Sequence, residues 1–154
     1  MNLLERFVLQ HVQPTLLRVE VLKMEKEEGQ QEAKVELGLS PRLLKTDSGD
    51  QLPAYQVSAR LSCRSAAEGK EQPAFKAQVA LEAVYQQVSG EPVDIAEFTA
   101  NHASLTRQLY PLLQQELRVL MSRVGLEQIR LPFDLAAQVN TSEDETVQVS
   151  GAVH

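Results

Sequence analysis

Tryptophan is absent from these 154 residues, cysteine occurs once, and aromatic residues make up only 5% of the chain. The lone Cys63 excludes an internal disulfide framework and fits a reducing compartment. No apolar run approaches the roughly 18 unbroken residues of a membrane span. The opening "MNLLERFVLQHV" is interrupted by Glu5, Arg6, Gln10 and His11 and has no small-residue cleavage site, so no secretion signal is expected there. A basic excess is missing too. Lys and Arg number 15 against 21 Asp and Glu, and the net charge of −6 argues against a nucleic-acid partner. The cytoplasm is the expected location.

Catalytic patterns are equally lacking. There is no glycine-rich phosphate loop, no G-x-S-x-G and no H-E-x-x-H. His11, His102 and His154 are far apart and have no partners at metal-ligand spacing. "DSGD" (Asp47 to Asp50) has no flanking ligand series and reads as a turn. Cys63 falls on the inward side of an alternating segment, where a small buried hydrophobe is expected rather than a nucleophile. Neither an enzyme nor a cofactor nor a metal site is expected.

What the chain does have is periodicity. Four segments alternate with period two: Leu17, Val19, Val21; Ala33, Val35, Leu37, Leu39; Tyr55, Val57, Ala59, Leu61, Cys63; and Phe75, Ala77, Val79, Leu81, Ala83. Each is a strand with one buried and one wet face, and polar links such as "EKEEGQQE" and "AAEGKEQP" predict an antiparallel meander. After Asp94, a candidate N-cap, the period becomes helical. Pro111 fits the first turn of a long helix that Gly125 stops, and "RLPFDLAAQ" adds a final turn or short helix. Strands first and helices second predict an α+β fold, a four-stranded antiparallel sheet with C-terminal helices on one face. One domain over 1–140 is expected, then a polar tail over 141–154 that includes the acidic "SEDE" (Ser142 to Glu145).

At about 100° per residue, Leu109, Leu112, Leu113, Leu117, Val119, Leu120, Met121 and Val124 spread over more than half of the long helix's circumference. A helix on one small sheet shows a narrower stripe. The surplus either packs under neighbouring segments of the same chain or meets another chain.

The long-helix region carries Tyr110-Pro111, Ser122-Arg123, Gly125 and Leu131-Pro132-Phe133-Asp134 in one order. At the front, Phe7, Leu9, Gln10, Val12, Leu17, Val19 and Glu20 share a register, followed by "VELGL" (Val35 to Leu39) and Val84-Tyr85. In these features the chain resembles the SecB family of protein-export chaperones over about residues 7–134. The resemblance favours a strand from about Phe7 over the helix that Leu3, Leu4, Phe7 and Val8 could equally form.

The resemblance implies a SecB-like fold and a cytoplasmic, ATP-independent holdase for unfolded or precursor polypeptides in protein export. It also implies a dimer or dimer of dimers, with no cofactor and no reaction. It would place Val84, Tyr85, Phe98, Leu109, Tyr110, Leu113 and Phe133 at an apolar client groove. Leu117, Leu120, Met121 and Val124 would lie at the oligomer interface, and Glu20 on the face that docks the SecA ATPase. Leu16 and Gln78 stand where the family has acids on that face, which otherwise mixes Arg18, Lys34, Arg60, Arg64 and Lys76 with Glu36 and Glu82. Handover to SecA is therefore expected to be weakened. Glu82-Ala83 replaces a family glycine pair, and Gln114-Gln115 replaces an Arg-Glu pair. The alternative function is a SecB-fold adaptor dedicated to one partner, such as a toxin–antitoxin or specialised secretion component.

Overall fold

The alternating segments do form strands. In the computed structural model, which describes residues 1–22, 33–44, 52–65, 74–132, 135 and 137–139, β1 spans Phe7–Val21, β2 Ala33–Leu44, β3 Ala54–Ser65 and β4 Phe75–Gln87. The N-terminus is resolved in favour of a strand. Only a single 3-10 turn, Leu3–Glu5, precedes β1, and the Asn2 side chain accepts from the Leu4 N–H at 3.0 Å to start it. Leu3 is buried, and its N–H donates to Ser104 Oγ at 3.3 Å, which ties the N-terminus to the helical layer.

The strand order corrects the sequence expectation. β2, β3 and β4 form a meander, but β1 pairs with β4 rather than β2, giving the order β1-β4-β3-β2. Alternation specifies which face of a strand is buried and carries no information about its neighbour. Reaching β2 from β1 means crossing three strand spacings of about 4.8 Å each, well within the reach of the chain between Val21 and Ala33. The result is a Greek-key order. The register of β1 shifts twice against β4, at Leu9/His11 and at Pro14/Leu16. Phe7, Leu9, Val12, Leu17 and Val19 share one face only because of these two bulges.

The buried face is Val35, Leu37 and Leu39 of β2, Tyr55 to Cys63 in alternation on β3, and Phe75 to Tyr85 in alternation on β4. Two helices cover it. The buried Gln87 side chain donates to the carbonyls of Ser89 (2.9 Å) and Glu91 (2.6 Å) and accepts from the Val93 N–H (3.0 Å), fixing the turn that delivers α1, Ile95–Ala100. Asp94 caps α1 as expected, accepting from the Glu97 N–H at 2.8 Å.

α2, Ala103–Arg123, starts eight residues before the proline that was expected to open it, so Pro111 lies inside the helix. A proline there costs about 3 kcal/mol through the lost hydrogen bond and the ring clash. The cost is offset because one continuous arc buries Leu105, Leu109 and Tyr110 before Pro111 and Leu113, Leu117 and Met121 after it. Arg107, whose carbonyl loses its donor, is exposed, as is Pro111, so water can take the vacant acceptor.

Gly125 ends α2 with φ +79° in a Schellman arrangement: the Leu126 N–H reaches the Met121 carbonyl at 2.8 Å and the Gly125 N–H reaches that of Ser122 at 3.3 Å. A Cβ on Gly125 would meet nothing within 4 Å, so Gly125→Ala isolates the backbone penalty. It is expected to destabilise by about 1 kcal/mol, measured as a lower denaturant midpoint with unchanged slope.

No helix follows Gly125 among the described residues. The last described element is instead β5, Gln138–Val139, parallel to Gly38 and Leu39 of β2. Pro132 stops a regular helix from forming, and burial of Ile129, Leu131 and Leu135 draws the segment after Gly125 back onto the core.

Candidate functional site: a trough beside the long helix

The returning segment is pinned to α2 at two levels. Near Gly125 the Leu126 N–H holds the Met121 carbonyl, and further on the Pro132 carbonyl accepts from the Tyr110 hydroxyl and, at 3.5 Å, from Gln114 Nε2. Between these ties lies a trough of about 520 Å³. Arg118, Met121 and Ser122 of α2 form one wall, and Leu126, Glu127, Ile129, Arg130 and Leu131 form the other. Met121, Ile129 and Leu131 are buried and Leu126 half-buried, so the floor is apolar, while Arg118, Glu127 and Arg130 are exposed. The volume falls in the range of small-ligand pockets, and the chemistry suits apolar side chains of a polypeptide.

The seven groove residues expected from the family register do not converge there. Tyr85, Phe98, Leu109, Tyr110 and Leu113 are buried in the core, and Val84 is half-buried on the opposite, polar face of the sheet. Phe133 lies outside the described residues, as do His154, Asp47 to Asp50, Ser142 to Glu145 and the 141–154 tail. All six aromatic residues in the described part are buried, and four of them pack together where α1 meets the sheet. Phe98 of α1 stacks on Tyr55 of β3 at 4.2 Å, meets Phe7 of β1 edge-on at 5.1 Å, and lies 6.4 Å from Tyr85 of β4.

Of the expected interface residues, Leu117 and Met121 are also enclosed within the protomer, Leu120 is half-buried and Val124 is exposed. The helical surplus is therefore divided. Most of it faces the sheet and the returning segment, Leu112 and Val119 face outward, and Val124 is exposed at the helix's C-terminal end. On β1, Leu17 is 49% exposed although its register partner Val79 is fully buried, so an apolar strip runs along the helix side of the sheet edge. The sequence reading missed Leu126, Ile129 and Leu131, and a run of apolar residues just after a glycine helix stop was the available signal.

Reactive chemistry is not assembled. Burial pushes the Cys63 thiol up to about 12, so it stays protonated at neutral pH. The Tyr55 hydroxyl is also raised to about 12, first by burial and then by the nearby carboxylates of Asp94 and Glu97, and it donates to the Val93 carbonyl. Burial raises Tyr85 as well, and its hydroxyl donates to Gln108 Oε1 at 2.7 Å. Among the described residues no group of His, Cys, Asp and Glu could hold a metal ion, and no helix is long and apolar enough to cross a membrane.

An antiparallel sheet with a long C-terminal helix on one face, ending in a glycine stop and a returning segment, is the SecB-like fold. The Mycobacterium tuberculosis Rv1957 SecB-like chaperone, solved in complex with a ChAD peptide from the Rv1956 HigA1 antitoxin, matches with a TM-score of 0.62 over 85% of this chain and 93% of that one, at 22% identity. No family model matches this sequence, and neither does any curated protein.

Proposed function

We propose that this chain is a divergent SecB-like chaperone, a cofactor-free cytoplasmic protein that holds non-native polypeptide and catalyses no reaction. The observation that carries this reading is the trough between α2 and the returning segment, apolar at its floor and charged at its margin, in a chain of SecB-like fold. An extended client would bury apolar side chains against Met121, Leu126, Ile129 and Leu131, at about 25 cal/mol per Å² of apolar area. Arg118 and Arg130 at the margin favour clients with nearby carboxylates. Oligomerisation, as a dimer or dimer of dimers, would cover Leu112, Val119 and Val124 and the strip around Leu17.

Handover to SecA would be weak. Glu20, the one acid left at the positions the family resemblance marks for docking, is engaged by Arg18. Gln78, in place of a second acid, donates to Ser62 at 3.3 Å.

The adaptor reading is favoured by one observation: a solved relative in fold is bound to a peptide from an antitoxin. Aggregation assays on several unrelated unfolded proteins separate the two. A general holdase is expected to suppress scattering from all of them at stoichiometric ratio, with no effect of ATP. Suppression of none, together with tight binding of one antitoxin-like segment, would establish the dedicated adaptor instead.

A further inference from the structure

The polar face of the sheet, opposite the helices and the trough, carries a charge arrangement that the holdase reading does not use. Cross-strand register sets Lys76, Arg64 and Lys34 side by side on β4, β3 and β2, with Glu20 of β1 at the end of the row. Like charges directly opposite on neighbouring strands destabilise a sheet, and all three cations are exposed. Adding Arg18, Arg60 and Arg42 gives this face six cations against Glu20, Glu36 and Glu82, in a protein whose net charge is −6.

None of its three carboxylates is free. Glu20 pairs with Arg18, and Glu82 accepts from Gln56 Nε2 and, at 3.4 Å, from Ser58 Oγ. Two rows along the same face, beyond Glu36, Ser62, Gln78 and Arg18, Arg60 lies between Gly38 and Ala80, and its buried Nε has no hydrogen-bond partner among the described residues. A hollow of about 260 Å³ opens on the cationic row, lined by four cations, Arg18, Lys34, Arg64 and Lys76, and by two carboxylates, Glu20 and Glu36, with Ser62 and Gln78 beside them, so cations remain in excess there.

We infer that this face docks an acidic polypeptide segment, whose carboxylates enter the hollow and separate the three adjacent cations. Complementary charge selects an acidic partner and speeds its encounter. A nucleic acid fits less well. Glu20, Glu36 and Glu82 repel a continuous polyanion, and all six described aromatic rings are buried, so the face has no stacking platform for bases. The inference is independent of the trough, since the two sites lie on opposite faces of one sheet.

The test titrates the full chain with a fluorescent peptide of alternating glutamate and serine, at low ionic strength and at about 0.15 M. Saturable binding that weakens with salt is expected, along with a loss of at least about tenfold in the triple variant Lys34→Gln, Arg64→Gln, Lys76→Gln, which removes the cations without setting like charges opposite one another. All three positions are exposed, so the variant is expected to fold and to suppress client aggregation as the parent does. No binding to the parent, equal binding to the variant, or equal affinity for a lysine–serine peptide or a single-stranded oligonucleotide would each overturn the inference. Loss of aggregation suppression in both proteins, with peptide binding intact in the parent alone, would count against the holdase reading and leave this one standing.

Discussion

Phe98→Ala is expected to remove about 3–5 kcal/mol of folding stability, a large share of what holds a domain of this size together. Phe98 is fully buried and contacts rings from three strands, Phe7, Tyr55 and Tyr85. It is also the anchor of α1, a helix of six residues that is too short to persist without packing. Total stability of a domain is of order 5–15 kcal/mol, so the melting temperature should fall by roughly 10 °C or more.

The measurement separates two roles for the same side chain. A core Phe98 lowers stability and leaves the client affinity of the folded fraction unchanged. A Phe98 that lined a groove would do the reverse. A stability change under about 1 kcal/mol with a clear loss of client binding would return Phe98 to the site at which the family register first placed it.

That displacement shows what the chain makes legible. Strand faces are written directly in the alternation, because each residue on β3 and β4 meets either the helices or water. Asp94 and Gly125 mark helix ends through local hydrogen bonding, which depends on nothing distant. The order of strands is different in kind. β1 could satisfy its alternation beside β2 or β4, and its two bulges blur the period where a register argument would need it.

Pro111 misled for a related reason. Its local preference for a helix start was overridden by a tertiary arc of leucines that no short window displays. The trough was harder still to see. Its walls, Met121 on α2 and Ile129 and Leu131 beyond Gly125, face each other because the segment folds back onto the core and its Pro132 carbonyl accepts from Tyr110 and Gln114. A site made by a chain folding back on its own helix has no spacing to read.

Leu126→Asp carries the second large expectation, and it bears on function. Leu126 is half-buried on the trough wall next to Met121 and packs against the core, so the substitution also lowers stability and affinity is read on the folded fraction. Its backbone N–H, which closes α2, is kept. Removing a leucine side chain from a client contact forfeits about 1.5–3 kcal/mol. Desolvating the new carboxylate adds to that loss. Affinity for an unfolded client should therefore fall roughly ten- to a hundredfold or more, measured by fluorescence titration with a reduced, permanently unfolded protein. Leu112→Asp supplies the contrast, because Leu112 lies 41% exposed on the outward side of α2, away from the trough lining. It is expected to lower the oligomer mass seen by light scattering and to leave client affinity within about a factor of two, since an exposed surface change costs little elsewhere. The opposite pattern, with Leu112→Asp abolishing client binding and Leu126→Asp sparing it, would move the client site to the outer face of α2 and leave the trough as a packing defect.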